Sequence, residues 1–268
     1  SSGTWIVFCY ATGSVFGGSA GGLVGRAGAG SIENSFATGT VTGSTGTSAV
    51  GGLVGSNNNT SITSCYATGN VVGGNRVGGF IGSNSGNLSD CYSTGSVFGE
   101  YYIGGFVGQH NVRTILSCYS SGRVTGTNHT FGGFVGDNSG TVTSCFWDGE
   151  TSELWGSAGG TGLTTAQMLA QASYDTNWDY STNPNWNIIE GKTRPYLPWQ
   201  KVALFEGVAS IAPTTLTLDT GYAHNVTGSG VTLDEYGVAY SEDGSNSLLY
   251  QAKSGDALIE GASVDLSG

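Results

Sequence analysis

Apolar residues return to the same place along this chain every 26 to 30 residues. An aliphatic side chain stands at Ile6, Ile32, Ile62, Leu88, Ile115 and Val142. Three residues later comes Cys or Ser, at positions 9, 35, 65, 91, 118 and 145, in steps of 26, 30, 26, 27 and 27. An aromatic follows at once, at Tyr10, Phe36, Tyr66, Tyr92, Tyr119 and Phe146. Valine recurs at Val15, Val41, Val71, Val97 and Val124, and glycine two positions beyond each. A second phrase, Gly-Gly-Leu/Phe-Val/Ile-Gly, lies between the copies at 21–25, 51–55, 78–82, 104–108 and 132–136, with Ala20, Val50, Val77, Ile103 or Phe131 just before it. A fixed period in this range means stacked units.

Each repeat offers three short β-prone runs, joined by turns rich in Gly, Asn and Ser. Runs of about three to six residues are too short for helices, and these carry Val, Ile and Tyr. One copy cannot bury its apolar positions, but stacked copies can, each run pairing in parallel with the same run of the next turn. The expected fold is all-β: a parallel β-helix over residues 1–150, with about six coils. At ~4.8 Å per coil the rod is about 29 Å long. No proline precedes Pro184, which agrees, since each stacked strand must donate hydrogen bonds. Thr151 breaks the valine column, so the array is expected to end there.

Side chains alternate across a strand, so each Cys and the aromatic after it face opposite sides of the wall. The expectation is Cys, with its Ala67-type neighbour, inside. Tyr10, Phe36, Tyr66, Tyr92, Tyr119 and Phe146 then form an aromatic ladder outside or at a corner, a candidate surface for stacking sugar rings. Cross-coil stacking that stiffens the wall is the expected reading, and sugar stacking is the alternative. All five cysteines occupy one repeat position, and Ser35 holds the same place. Zinc sites want close Cys pairs, and disulfides between in-register side chains are disfavoured by geometry. A column of small buried side chains is the expected reading. The segments between the valine phrase and the next Gly-Gly phrase vary in length, as in 44–50, 74–77 and 127–131, and such insertions map to loops on one edge of a solenoid. The Asn-rich turn 56–61 and its equivalents are placed on the other edge.

Residues 151–202 read as a C-terminal cap. Trp147, Trp155, Trp178, Trp186 and Trp199 cluster around this stretch. Thr164 to Gln167 has the form of a capping box opening a helix over 165–172. An open solenoid end invites aggregation, and a short helix with aromatic-rich coil would cover it. A ligand groove lined by Trp155, Trp178 and Trp186 is the alternative. Residues 203–268 change character: strands are expected at 215–218 and 237–240, with a hairpin turn at Asp243-Gly244, in a small β-sandwich-like, immunoglobulin-type region cut short. Asp234, Glu235, Glu242 and Asp243 are read as a solvated acidic edge, with calcium as the alternative.

Composition narrows the function. Of 268 residues 48 are Gly and only 10% are charged, with a net charge of −11. The repeat region is neutral, and all the net charge lies after it. Nothing resembles a basic footprint for nucleic acid, and no apolar run approaches a membrane span. The chain starts without Met inside a repeat, which reads as part of a longer chain. His110, His129 and His224 are isolated, and no His-Glu-x-x-His is present. Gly17 to Gly21 matches G-x-S-x-G, but inside a repeat full of Gly and Ser this is read as chance. Each coil contributes at most one acid, at unrelated positions, which does not suit glycoside cleavage. No cofactor and no metal is expected.

The Gly-Gly-Leu/Phe-Val/Ile-Gly phrase followed by Ile-x-x-Cys-Tyr-Ala-Thr-Gly-x-Val resembles the GLUG-motif repeat over residues 1–150. Residues 145–200, with Cys145–Asp148, the Thr164–Met168 stretch and the end at Tyr196–Trp199, look like the segment that follows such arrays. The resemblance implies a bacterial surface or secreted protein, of the filamentous-haemagglutinin-like adhesin type or a non-catalytic part of an immunoglobulin-A-specific metallopeptidase, located extracellularly or on the cell surface. The function expected is a non-catalytic structural or adhesive module that displays loops or spaces other domains, with glycan or a host-surface protein as partner. The alternatives are a β-helical scaffold of a polysaccharide-active enzyme, the spacer of a secreted peptidase, and a flat Thr/Ser/Asn wall for ice or crystal faces.

Overall fold

A computed structural model describes residues 4–44, 49–127, 130–181 and 184–200, and beyond these the strands Val202–Phe205, Leu216–Thr217, Ala223–Val226, Gly237–Tyr240, Ser247–Ser254, Ala257–Ile259 and Ser263–Asp265. The chain divides into two compact units, Ser1–Leu197 and Pro198–Gly268.

The first unit is a parallel β-solenoid with five walls. Wall A stacks Thr4–Val7, Gly30–Glu33, Thr60–Thr63, Leu88–Ser89, Thr114–Leu116 and Thr141–Thr143. Wall B stacks Tyr10–Ala11, Phe36–Ala37, Tyr66–Ala67, Tyr92–Ser93, Tyr119–Ser120 and Phe146–Asp148. Wall C carries the valine column, from Val15–Gly17 to Val124–Gly126. Wall D runs from Ala20–Gly21 to Phe131–Gly132, and wall E from Val24–Ala27 to Val135–Asn138. Like residues pair with like: Ile6 with Ile32, Ile32 with Ile62, Ile62 with Leu88. Walls C, D and E have five strands each, so there are about five full turns and the start of a sixth.

The expected three runs per repeat are thus five. The Gly-Gly phrase, which reads as one run, straddles a bend: Val50–Gly51 belongs to wall D and Val54–Asn57 to wall E. The reason is close packing at that bend. A Cβ on Gly52 would overlap the Gly79 carbonyl of the next coil and press on the Ala67 side chain across the interior. Glycine there, facing alanine or serine, lets opposite walls meet. Ser93 and Ser120 take the alanine position and donate to the carbonyls of Gly105 and Gly133, each at 2.8 Å.

This contact pinches the cross-section into two lobes. The larger lies among walls A, B and E and holds Ile32, Ile62, Leu88, Ile115, the buried cysteines, and Phe80, Phe106 and Phe134. Those three phenylalanines stack with centroids 4.7 and 4.9 Å apart. The smaller lies between walls C and D and holds the valine column with Ala20, Val50, Val77 and Ile103, and Phe131 packed against it. The side chains before each Gly-Gly therefore grow along the rod, from alanine to phenylalanine.

The corner between walls A and B has its own rule. Phe8, Asn34, Ser64, Asp90, Ser117 and Ser144 all have positive φ, between 47° and 53°. This left-handed turn lets the next residue reach back. The thiols of Cys65, Cys91, Cys118 and Cys145 donate to the carbonyls of Thr63, Ser89, Leu116 and Thr143 at 3.0–3.2 Å, and the Ser35 hydroxyl does the same to Glu33 at 2.8 Å. The column is buried from Ser35 to Cys145, as expected, and its cysteines are free thiols. It is more than filler, since Cys and Ser share the donor that this turn uses. Burial pushes the Cys65 and Cys118 thiols up, away from a reactive thiolate.

The opposite corner, between walls E and A, carries a buried amide column. Asn57 donates to Asn84 at 2.8 Å, and Asn84 pairs with Nδ1 of His110 at 3.1 Å. Asn57 and Asn84 also accept from the turn N–H groups of Thr60 and Gly86. Burial lowers the pKa of His110, so the neutral ring serves as a rung.

The end of the array is met by a strand and a loop, whereas the expected aromatic-rich coil lies along wall B. The strand Thr161–Leu163 adds to wall B beyond Phe146–Asp148. Gly133 donates to the Gly156 carbonyl and Ala158 to that of Val135, so the last strand edges at walls B, D and E find partners. The Trp147 ring closes the larger lobe. The expected capping box at Thr164 and Gln167 is present, but its helix, Thr165–Met168, is a single turn shorter than the expected 165–172, followed by a 3-10 turn at Gln171–Ser173. A second one-turn helix, Gly149–Ser152, is capped by Asp148.

The described strands of the second unit pair antiparallel, in the order Val202–Phe205, Gly237–Tyr240, Ser247–Ser254, Ser263–Asp265, Ala223–Val226, Leu216–Thr217, with Ala257–Ile259 on Ser247–Ser254. The pairing gives one antiparallel sheet. Asp234, Glu235, Glu242, Asp243 and Gly244 lie outside the described residues.

Candidate functional site

The ladder Tyr10, Phe36, Tyr66, Tyr92, Tyr119 and Phe146 sits on wall B in register. Its rings stack nearly parallel, with centroids 5.3, 4.8, 5.1 and 5.0 Å apart from Tyr10 to Tyr119. It lies on the side of the wall away from the cysteines, as alternation requires. It is nevertheless not a free surface. Only Tyr10, at 51% exposure, is open; Phe36, Tyr66, Tyr92, Tyr119 and Phe146 are buried. The stacked rings agree with the cross-coil reading, and their burial from Phe36 onward rules against an open sugar-stacking face.

The cover over the last rungs is a strap, residues 174–181 and 184–197. Trp186 packs on Tyr92 and Tyr119, and Trp178 on Tyr119 and Phe146, with centroids 5.7–6.3 Å apart. Trp178 and Trp186 stack on each other at 4.6 Å, and Tyr174 meets Phe146 edge-on. The Tyr119 hydroxyl donates to the Pro195 carbonyl at 2.7 Å, and burial holds this phenol well above its usual pKa.

The strap also reads the left-handed corner. Asn185 donates to Asp90 at 2.6 Å, Ser117 donates to the Asn177 carbonyl at 3.1 Å, and the Trp178 indole donates to the Ser144 carbonyl at 2.8 Å. Three successive rungs of one repeat position therefore hold it. Its far end is latched by Arg194, which donates to the fully buried Asp148. Asp148 also accepts from the Thr165 hydroxyl and from the N–H groups of Glu150 and Thr151.

The alternative groove of Trp155, Trp178 and Trp186 is not formed. Trp178 and Trp186 are buried under the strap, whereas Trp155 lies over Gly149 at the capped end and is 62% exposed. Among the described residues no three His, Cys, Asp or Glu side chains come together to hold a metal ion. No helix of the described residues is long and apolar enough to cross a membrane.

What the structure leaves open lies on wall C. Phe16, Thr42, Val72, Phe98 and Thr125 form one outward column in register. Phe16 is 75% and Phe98 44% exposed, and Tyr101 stands exposed nearby on wall D. Sequence reading passed over this column because its members differ in chemistry; their common offset, one residue after each wall C valine, was the available signal.

No curated protein and no solved structure matches the chain. The family model of the GLUG motif matches residues 16–42, 46–72 and 73–97. Each match ends on wall C about one coil after it begins, and the same register continues to Phe146. The chain thus carries GLUG motif repeats, three by this match, each wound as one coil of the solenoid.

Proposed function

We propose that this chain is a non-catalytic structural and adhesive module of a bacterial surface or secreted protein, and that wall C is its ligand-facing side, taking glycan. The observation that carries the reading is the outward column Phe16, Thr42, Val72, Phe98, Thr125. It bears no charge, sets aromatic faces and hydroxyls on rungs ~4.8 Å apart, and is held rigid by the lobe beneath it. Aromatic faces with nearby hydroxyl groups suit a ligand that has both apolar ring faces and polar edges. The inward columns, by contrast, are consumed by coil packing.

A glycan array probed with the 268-residue chain tests this. Binding to a glycan class is expected, and it should disappear in a Phe16→Ala/Phe98→Ala double variant whose circular dichroism is unchanged. Glycan binding that survives the double variant places the ligand on another face. Absence of binding to every glycan leaves the spacer role alone.

A further inference from the structure

The strap differs from the coils in how it is held. Among the described residues, no backbone-to-backbone hydrogen bond joins 174–197 to the walls. Its backbone bonds are internal, such as Trp186 to Asp179 and Asn187 with Tyr196, or go to the cap at Leu169. Everything that ties it to wall B runs through side chains. The ladder beneath does not depend on it, since Tyr92 and Tyr119 stack on each other and their strands are paired on both sides.

One tie is electrically unusual. Asp148, at the latch, has a cation in Arg194. Asp90, under the middle of the strap, has none among the described residues. On its own wall its titratable neighbour is Cys91, a buried thiol that donates to the Ser89 carbonyl and supplies no positive charge. From the strap it meets Asn185 and Trp186, both neutral, and Asn185 turns its carbonyl end to the N–H of Asp179. The strap thus seats itself on a carboxyl group that it shields from water and does not neutralise.

We propose that the described stretches 174–181 and 184–197 are a displaceable cover over the aromatic ladder, and that the charge on Asp90 sets how firmly the cover is held. The docked site favours the neutral acid: burial raises the Asp90 pKa to about 7. The direction follows. A carboxyl group raised by docking helps the docked state while it is protonated, and this help is lost as pH rises through its docked value. The cover is therefore tightest below about pH 4, loosens as pH rises from there to about 7, and does not respond to this group above it. Opening bares Tyr92, Tyr119 and Phe146 as a stacked aromatic surface, without unwinding a coil. The inference is independent of wall C and of any ligand there.

Hydrogen exchange of the full chain at pH 4.5 and pH 7.5, corrected for the intrinsic pH dependence of exchange, tests it. Amides of Trp186, Asn187 and Tyr196 should lose protection between these two pH values, by at most about tenfold per pH unit, since one proton is linked. Wall B amides at Tyr92 and Tyr119 serve as the internal control and should not change. In Asp90→Asn the strap should stay protected at both pH values. Asparagine suits this corner, because Asn34 occupies the equivalent turn at φ 47°. Equal strap protection at both pH values in the wild type overturns the proposal. So does a pH-dependent loss that persists in Asp90→Asn, or a loss in which wall B amides exchange together with the strap.

Discussion

The Cys65 thiol donates to the carbonyl oxygen of Thr63 at 3.2 Å, the same bond that Ser35 makes to Glu33 one coil earlier. The equivalence explains why the two residue types alternate in one column. It also separates two accounts of that column, small size and a donor.

Cys91 is the place to decide between them, since it is fully buried and donates to Ser89 at 3.0 Å. Cys91→Ser keeps the donor and should cost less than about 1 kcal/mol. Cys91→Ala removes it and should cost about 1–2 kcal/mol, the range for a buried acceptor deprived of a partner. Urea unfolding of the two variants gives the comparison. If alanine proves milder than serine, size alone governs the column.

The left-handed corner makes a second demand that side-chain chemistry does not reveal. Asn34 has φ 47°, a conformation open to Gly and Asn and costly for β-branched residues. Asn34→Gly should be nearly neutral, whereas Asn34→Val should lose about 1–3 kcal/mol. Thermal melts would show it. Equal melting temperatures for the two variants would mean that the corner relaxes at little cost.

The latch predicts a dependence on acid opposite in sign to that of Asp90. Burial alone would raise the Asp148 pKa, but the hydrogen bond and charge of Arg194, the Thr151 N–H and the Thr165 hydroxyl outweigh it, and the net value is below the ordinary 3.8. A carboxylate lowered on folding gives stability that is complete above its ordinary value and fades as pH falls through its folded one. Arg194→Met leaves a buried carboxylate without its cation, and about 3–5 kcal/mol should be lost near pH 7. Asp148→Asn should flatten the stability profile below about pH 4. A wild-type profile that is already flat there would contradict the assigned role.

Much of this molecule is legible from its repeats. The columns of Ile32, Val41 and Cys65 give the coil, and alternation puts Tyr66 opposite Cys65. What repetition cannot reveal is anything made once. Trp186 packs on Tyr92 from 94 residues away in a stretch without period, so the ladder reads as exposed until the strap is seen. Heterogeneous columns are hidden for a different reason. Phe8, Asn34, Ser64 and Asp90 share a backbone angle and no side-chain chemistry. Asn57, Asn84 and His110 share hydrogen bonds, but Ala27 heads their column and breaks the pattern. The bend inside each Gly-Gly phrase escaped because two adjacent glycines mark a close approach as readily as a loose turn.

The smaller lobe has a consequence for how such a rod can change. Its side chains enlarge in steps along the rod, through Ala20, Val50 and Val77, Ile103 and Phe131. Each fits between neighbours close to its own size, so the coils are not interchangeable parts. A coil moved from one end to the other would meet a lobe of the wrong calibre, leaving either a void or an overlap. The rod therefore carries an internal address along its length, and new copies enter most readily beside the coil that they duplicate.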